Sequence, residues 1–399
     1  MKLIDEIVGF APEIRAIRRD IHAHPELGYA EHRTADLVAS LLEQWGIEVS
    51  RGIGGTGVVG TLKRGSALRS VGLRADLDAL PIQEANEFAH RSSEDGRMHA
   101  CGHDGHTAML LAAAKALSQR TDFDGTVHFI FQPAEEGGAG GKAMIDDGLF
   151  DRFPCDAVFG MHNWPGLELG RFSVRAGPML ASASEFEIRI TGRGAHAAIP
   201  NESVDPVLIA CQLVQALQGI LTRNKRPIDT AVLSVTQVHA GDAFNVIPNI
   251  AVVRGTVRTF TTEVLDLIET RMREITEQLP RAFQASGRLD FQRNYPPLVN
   301  HEAETEFCRR VAASIVGEEQ VLELEPVMGS EDFAYMLLER PGCYIAIGNG
   351  ADGAHRDGGH GAGPCALHNP SYDFNDEVTP LGATYWVRLA EEFLAGKTP

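Results

Sequence analysis

The pattern of apolar residues changes twice along this chain, and these changes limit the folds it can adopt. Residues 1–180 alternate helical patterns with short apolar runs, such as 126–131. This alternation is typical of an α/β layer with a parallel or mixed sheet. The same patterning returns after residue 293, with an apolar run at 343–348. We therefore predict one α/β domain that is interrupted by an insertion.

The interruption, residues 183–292, has a pattern of its own. Residues 184–191 alternate apolar and polar side chains, as a half-buried strand does. Asp205 and Pro206 then begin a helix, as its cap and its first-turn residue. Two strand patterns, a long amphipathic helix and a last strand follow. This β–α–β–β–α–β order predicts a ferredoxin-like α+β domain at 183–292, within an α/β domain made of 1–182 and 293–399.

The charge balance excludes two classes of partner. The chain has 399 residues, with 36 Lys and Arg against 54 Asp and Glu, a net charge of −18. Nucleic acids and anionic membrane surfaces attract cationic faces, so we expect neither as a partner. No stretch approaches the ~20 uninterrupted apolar residues that span a bilayer, and the first residues lack a signal-peptide core. We expect a cytoplasmic protein.

The densest group of reactive side chains is MHACGHDGHT, residues 98–107. Cys101 and His103 are two residues apart, so in an extended segment both side chains point to the same side. A converging thiolate and imidazole suit a borderline-soft divalent metal such as Zn²⁺. His99 and His106 are interpreted as supporting or structural residues. The segment therefore predicts a metal site.

Further candidate metal ligands come directly after apolar runs that are predicted to be strands. Open α/β sheets bind small molecules and ions at the carboxyl ends of their strands. Glu135 and Glu136 follow one such run, and one of them can bind a metal while the other moves protons. Asp76 and His162 end two other runs, and His368 follows a glycine-rich stretch. The best-placed donors are Cys101, His103, Glu136, His162 and His368. Five donors exceed one tetrahedral zinc site and suit two metals ~3.5–4 Å apart.

An ordered set of motifs extends over nearly the whole chain. They are HAHPELGYAE (22–31), GLRADLDALPIQE (72–84), MHACGHDGHTAMLL (98–111), FQPAEEGGAGG (131–141), GMHNWP (160–165), GRGAHAAIP (192–200), NVIPN (245–249), MGSEDFA (328–334) and LHNPSYDFND (367–376). In this order they resemble the M20 metallopeptidases, in the branch of hippurate hydrolases, N-acyl-amino-acid amidohydrolases and auxin-conjugate hydrolases. So many ordered motifs are far more specific than one short pattern. The resemblance implies a zinc-exopeptidase-like catalytic domain with a mixed sheet and an inserted lid and dimerisation domain.

The resemblance also implies a role for each matching residue. The five donors become ligands of two divalent ions (Zn, Mn, Co or Ni, with Zn or Mn favoured), and the Cys101 thiolate is shared. Glu135 matches the general base, and Asp76 the carboxylate that orients a ligand. His196, in the insertion, matches a histidine that donates a hydrogen bond to the oxyanion. Other M20 branches have a metal-binding His where this chain has Arg74.

Substrate contacts are implied in the same way. Asn245 and Arg258 match positions that bind the substrate carboxylate. Gly329 and Ser330, at a predicted helix start, offer N–H groups to an anion. The implied activity is hydrolysis of an N-acyl amino acid to a carboxylic acid and a free amino acid. The implied assembly is a homodimer or homotetramer through the lid.

Three alternatives stay open. A cysteine hydrolase would use Cys101 as nucleophile and His103 as base, but it leaves the other donors unexplained. A dipeptidase, exopeptidase or N-acetyl-diaminopimelate deacetylase would use the same dinuclear site on another amide. A non-catalytic metal-binding protein would keep the scaffold, since a fold does not imply an activity.

Overall fold

The structure, a computed structural model, describes residues 1–351 and 358–396 in two compact units. The larger unit comprises Met1–Gly177, Val299–Glu325 and Tyr335–Pro399, and the smaller one Pro178–Leu298 and Pro326–Ala334. The sequence predicted one continuous insertion, residues 183–292, whereas the smaller unit also includes the separate segment 326–334. That segment belongs to the smaller unit because Val327 forms a parallel bridge with Leu180.

The described residues contain the following helices and strands. The helices are α1 (Asp5–Ala23), α2 (His32–Gln44), α3 (His103–Ser118), α4 (Glu135–Gly138), α5 (Gly140–Asp146), α6 (Leu149–Arg152), α7 (Pro206–Arg223), α8 (Thr262–Ala282), α9 (Glu302–Val316), α10 (Phe333–Glu339) and α11 (Thr379–Leu394). The strands are β1 (Glu48–Ile53), β2 (Gly57–Arg64), β3 (Ser70–Asp76), β4 (Gly125–Gln132), β5 (Ala157–Pro165), β6 (Phe172–Ser173), β7 (Gly177–Leu180), β8 (Ala183–Thr191), β9 (Ala195–His196), β10 (Ala231–Ala240), β11 (Val246–Ile247), β12 (Ile250–Thr259), β13 (Ser286–Tyr295), β14 (Leu298–Asn300), β15 (Val321–Leu322) and β16 (Gly342–Gly350). In these ranges no helix has the length and apolar character that crossing a membrane requires.

The larger unit is built on an eight-stranded mixed sheet in the order β1-β2-β4-β3-β5-β16-β6-β15. The four central strands, β4, β3, β5 and β16, run parallel to one another. Strand β2 runs antiparallel to both of its neighbours, whereas β6 runs antiparallel to β16 and parallel to β15. The central strands are almost entirely buried, as parallel strands covered on both faces are. The predicted mixed α/β sheet is confirmed.

Two of these parallel strands end side by side. Asp76, the last residue of β3, is paired in register with Gln132, the last residue of β4. The chain that leaves β4 therefore carries Glu135 and Glu136 past the carboxyl end of β3. The alanine-rich helix α3 is buried on all sides, which is typical of a central core helix.

The smaller unit has a four-stranded antiparallel sheet in the order β10-β12-β8-β13. Its elements follow one another as β8-α7-β10-β12-α8-β13, which is the predicted sequence of strands and helices. The Asp205 carboxylate accepts a hydrogen bond from the Val207 N–H across 2.8 Å, and Pro206 is the first residue of α7. The predicted helix cap is confirmed. The apolar faces of α7 and α8 share one buried core with the sheet.

Candidate metal centre

The site begins at a left-handed turn between a buried loop and α3. Gly102 has φ = 100°, and α3 begins at His103. A Cβ atom on Gly102 would lie 2.2 Å from Asn163 Oδ1 and 2.5 Å from Tyr372 Oη, so no side chain fits here. The prediction of an extended segment from Cys101 to His103 is therefore wrong. Close packing on Asn163 and Tyr372 requires glycine, which adopts the left-handed conformation readily.

A first group of potential ligand atoms consists of Cys101, His103 and His162, all within 4.8 Å of one another. The Cys101 Sγ lies 3.3 Å from His162 Nε2. The His103 Nδ1–H donates to the Asp78 carbonyl across 2.8 Å, so Nε2 is the nitrogen of this ring that is left to bind a metal. That Nε2 is buried and makes no hydrogen bond within the described residues. An orphaned imidazole nitrogen beside a thiol and a second imidazole fits a metal ligand.

A second group contains Cys101, Glu136 and His368, again within 4.8 Å of one another. His368 Nε2 lies 3.1 Å from Glu136 Oε1, and the Glu136 N–H donates to Asp78 Oδ2 across 2.9 Å. Cys101 belongs to both groups. A third group joins Glu135 to Glu136 and His103. The structure thus brings all five predicted ligands and the predicted base together, around one shared thiol.

The protonation of these groups follows from burial and from their neighbours. Burial and the charge of His106 hold the pKa of His162 well below its ordinary value, so its imidazole is neutral. Burial and the charge of Glu136 raise the pKa of the Cys101 thiol. Hydrogen bonds to Cys101 and Glu136 raise the pKa of His368 to about 10. A divalent cation reverses this balance because it favours thiolate and neutral imidazole.

Asp76 lies beside the first group and accepts hydrogen bonds from two buried side chains. Its Oδ1 accepts from His106 Nδ1 across 2.6 Å, and its Oδ2 accepts from Arg74 Nη1 across 2.7 Å. His103 Nε2 lies 3.7 Å from Oδ2. Burial opposes ionisation, but the charges of these three neighbours hold the pKa of Asp76 well below its ordinary value. Arg74 is therefore a buried partner of Asp76.

Several supporting residues are absent from the sequence predictions. Asp78 joins the two ligand groups, because it binds both His103 Nδ1 and the Glu136 N–H. Its position two residues beyond Asp76, the last residue of β3, was the available signal. His162 lies inside β5. The next residue, Asn163, places both its backbone N–H and its side-chain Oδ1 within hydrogen-bond distance of His106 Nε2. Those partners are remote in sequence and had no signal.

The smaller unit contains the remaining predicted site residues. His196 and Asn245 are close neighbours, because β9 pairs with β11 and the Ala197 N–H donates to the Asn245 carbonyl across 2.9 Å. The side chain of His196 is exposed. Arg258 Nη1 lies 3.4 Å from Ser330 Oγ, and burial lowers the pKa of this arginine.

The predicted helix start at Gly329 and Ser330 is wrong. The helix α10 begins at Phe333, whose N–H donates to Glu331 Oε1 across 2.9 Å. The Gly329 carbonyl accepts from the Ala181 N–H across 2.8 Å, so the backbone runs beside the segment around Leu180. Pairing with that segment delays the helix by a few residues.

A cluster of potential Cys, His and Glu ligands with an additional Glu is typical of a metal-dependent hydrolase. Residues 72–392 match the model of Peptidase family M20/M25/M40, and the chain belongs to this family. The resemblance inferred from the motifs is confirmed. The chain is an enzyme that hydrolyses amide bonds.

Relatives agree over nearly the whole length. The chain is 40% identical to the hippurate hydrolase of Campylobacter jejuni, over 99% of this chain and 100% of the relative. It is 38% identical to the N-acetyl-L-cysteine deacetylase of Bacillus subtilis, over 94% of this chain and 86% of that one. A dinuclear metal-binding peptidase of the M20 family from Bacillus subtilis superposes with a TM-score of 0.84 at 33% identity, covering 97% of this chain and 99% of that one.

Proposed function

We propose that this enzyme hydrolyses the amide bond of N-acyl amino acids and releases a carboxylic acid and a free amino acid. The observation that carries the proposal is the pair of ligand groups that share Cys101, with Glu135 in contact range of His103 and Glu136. The proposed ligands of two divalent ions are Cys101, His103, Glu136, His162 and His368. The hippurate hydrolase and N-acetyl-L-cysteine deacetylase among the relatives support this substrate class.

The chemistry divides between the metals and the protein. Bound at these ligands, two divalent ions would lower the pKa of a water molecule and polarise the scissile carbonyl. Glu135 is buried, lies at the start of the turn after β4, and is not needed as a ligand. It takes the proton of the attacking water and returns it to the leaving nitrogen. Asp78 orients His103 through hydrogen bonds to its Nδ1, and Asp76 lies beside the same imidazole.

The smaller unit supplies the substrate contacts in this proposal. We assign it as a ferredoxin-like lid and dimerisation domain, through which the chain forms a homodimer or homotetramer. His196 donates a hydrogen bond to the oxyanion, while Asn245 and Arg258 bind the substrate carboxylate. Ser330 contacts Arg258, so Ser330 and the adjacent Gly329 lie near this proposed carboxylate-binding residue. A chain with net charge −18 needs such local positive charge to bind an anionic substrate.

The donor set favours Zn²⁺, because a thiolate and three imidazoles are borderline-soft ligands. Mn²⁺ is the second choice, and Co²⁺ and Ni²⁺ also match the ligands. A cysteine-hydrolase mechanism is disfavoured, because a nucleophilic cysteine requires a lowered pKa and burial raises that of Cys101. A cytoplasmic location stays a prediction.

The test combines metal reconstitution with a substrate panel. The protein is stripped with a chelator and reloaded with Zn²⁺, Mn²⁺ or Co²⁺. Turnover is then measured on benzoyl-glycine, N-acetyl amino acids, indole-acetyl conjugates, N-acetyl-diaminopimelate and dipeptides. We expect activity on N-acyl amino acids that disappears with the metals and returns with them. Activity of the metal-free protein would indicate the cysteine mechanism, and no turnover with two metals bound would contradict the proposal.

A further inference from the structure

A buried carboxylate of the larger unit has no part in the mechanism given above. Glu31 is 0% exposed and lies at the N-terminus of α2. Its Oε2 accepts from the Thr56 hydroxyl across 2.5 Å, and its Oε1 accepts from the Ala134 N–H across 2.8 Å. Burial raises its pKa, and the charged neighbour Asp78 acts in the same direction. Burying a carboxylate in such a place is costly, so its retention calls for a reason.

Capping α2 is not that reason. The Glu31 side chain makes no capping hydrogen bond to its own helix. The free N–H groups of the first turn, at Arg33 and Thr34, donate instead to the Glu26 carboxylate across 2.9 and 2.8 Å. Glu31 is therefore directed away from its helix, towards the turn that follows β4, which comprises residues 134–139.

That turn has an unusual backbone. Ala134 has φ = 48° and Ala139 has φ = 52°, a left-handed conformation that costs a residue with a Cβ of the order of 1–2 kcal/mol. Such conformations persist only where the surroundings impose them, and they cluster at functional sites. Between these two alanines lie the proposed base Glu135 and the proposed ligand Glu136.

The segment that carries Glu31 contacts this turn at both ends. At the start, Glu31 binds the Ala134 N–H, and a Cβ on Gly28 would lie only 3.0 Å from the Ala134 Cβ. At the end, the Tyr29 hydroxyl donates to the Gly138 carbonyl across 2.7 Å. These contacts hold the left-handed turn in place from one side.

We propose that Glu31 is a positioning residue, whose hydrogen bond to the Ala134 N–H orients the turn that presents Glu135 and Glu136. This inference rests on the proposed function. The negative charge of Glu31 is not what the turn requires; it requires an acceptor at that point. A neutral acceptor of the same shape should therefore serve, whereas an apolar side chain of the same size should not.

The test compares Glu31→Gln with Glu31→Met in the full-length enzyme. Glutamine keeps an oxygen for the Ala134 N–H, and methionine fills the same volume without an acceptor. We expect Glu31→Met to lower kcat at least 10-fold with KM within about three-fold, and to weaken the affinity of the metal-free protein for Zn²⁺ about 10-fold. Glu31→Gln should keep both values within about three-fold of the wild type, as should Thr56→Val, which leaves the Ala134 contact intact.

Two controls separate folding and the base assignment from this proposal. Tyr29 is 42% exposed, so Tyr29→Phe leaves the fold intact and should lower kcat several-fold from the other end of the turn. The Zn²⁺ affinity is measured without substrate, so it tests the position of Glu136 even if Glu135 is not the base. Wild-type kcat and affinity in Glu31→Met, or equal losses in the methionine and glutamine variants, would overturn the inference.

Discussion

The Arg18 guanidinium donates from Nε to Asp376 Oδ1 across 2.8 Å, although the two residues are 358 positions apart in the chain. Arg18 is 0% exposed, and its Nη1 also lies 3.3 Å from Asp104 and 3.2 Å from Asp373. The first helix and the C-terminal segment of the larger unit therefore share one buried ion network. Because Asp104 follows His103 directly, this network also supports the start of α3 at the metal centre.

Removing Arg18 should destabilise the protein strongly. Arg18→Met removes the buried cation that Asp104, Asp373 and Asp376 share, and breaking a buried ion pair in this way costs ~3–5 kcal/mol. The matched control is Arg15→Met on the same helix, because Arg15 is 42% exposed and pairs with the exposed Glu377. That exchange should change the free energy of unfolding by less than ~1 kcal/mol. Urea unfolding measures both, and equal losses would show that the buried network is not stabilising.

Glu135 and Glu136 are adjacent, and their variants should fail in different ways. Glu135→Gln removes the proposed base, so kcat should fall ~10²–10⁴-fold while two metals stay bound. Glu136→Gln removes a proposed ligand, so the protein should lose metal as well as activity. The measurements are kcat and metal content after dialysis. Wild-type kcat in Glu135→Gln with both metals bound would show that another group is the base.

Cys101 belongs to both ligand groups, so its replacement should affect both metals. We expect Cys101→Ser to retain less metal per chain than His368→Ala, which removes a ligand from one group only. Cys155→Ser is the control, because Cys155 is a buried thiol whose pKa burial raises to about 12. It should bind metal as the wild type does. A Cys101→Ser protein with two tightly bound metals would contradict the shared-thiol arrangement.

The sequence predicted those parts of the fold whose signals are local. Asp205 and Pro206 predicted the start of α7, and the apolar run before Asp76 predicted β3 and its end. The density of Cys and His residues in the segment 98–107 predicted a metal site that includes Cys101 and His103. Their predicted local geometry was wrong, because Gly102 between them forms a left-handed turn packed against Asn163 and Tyr372, which are far away in the chain.

Contacts between distant segments had no such signal. The His103–Asp78 bond joins residues 25 positions apart, and the His106–Asn163 bond joins residues 57 apart. Both depend on the strand order β4-β3-β5, which periodicity does not specify. Glu31 is a similar case. Its sequence position suggests a helix-end residue, and only the three-dimensional path of the turn after β4 gives it a partner.

Two buried histidines should give the stability of the protein opposite pH dependences. Burial lowers the pKa of His22, but hydrogen bonds to Asp104 and Glu84 outweigh it and raise the pKa to about 9. Its stabilising contribution is therefore complete below pH ~6.5 and is lost as the pH rises towards 9. Burial lowers the pKa of His128 to about 4. Its contribution is complete above pH ~6.5 and is lost as the pH falls towards 4.

Urea unfolding from pH 4 to pH 10 separates these contributions when wild type, His22→Gln and His128→Gln are compared. Relative to wild type, His22→Gln should lose less stability between pH 6.5 and 9, by up to ~3 kcal/mol, because a glutamine releases no proton there. His128→Gln should lose less stability between pH 6.5 and 4 and should match wild type on the alkaline side. Other titrating groups cancel in each difference. If His22→Gln followed the wild-type curve from pH 6.5 to 9, His22 would not be protonated in the folded protein.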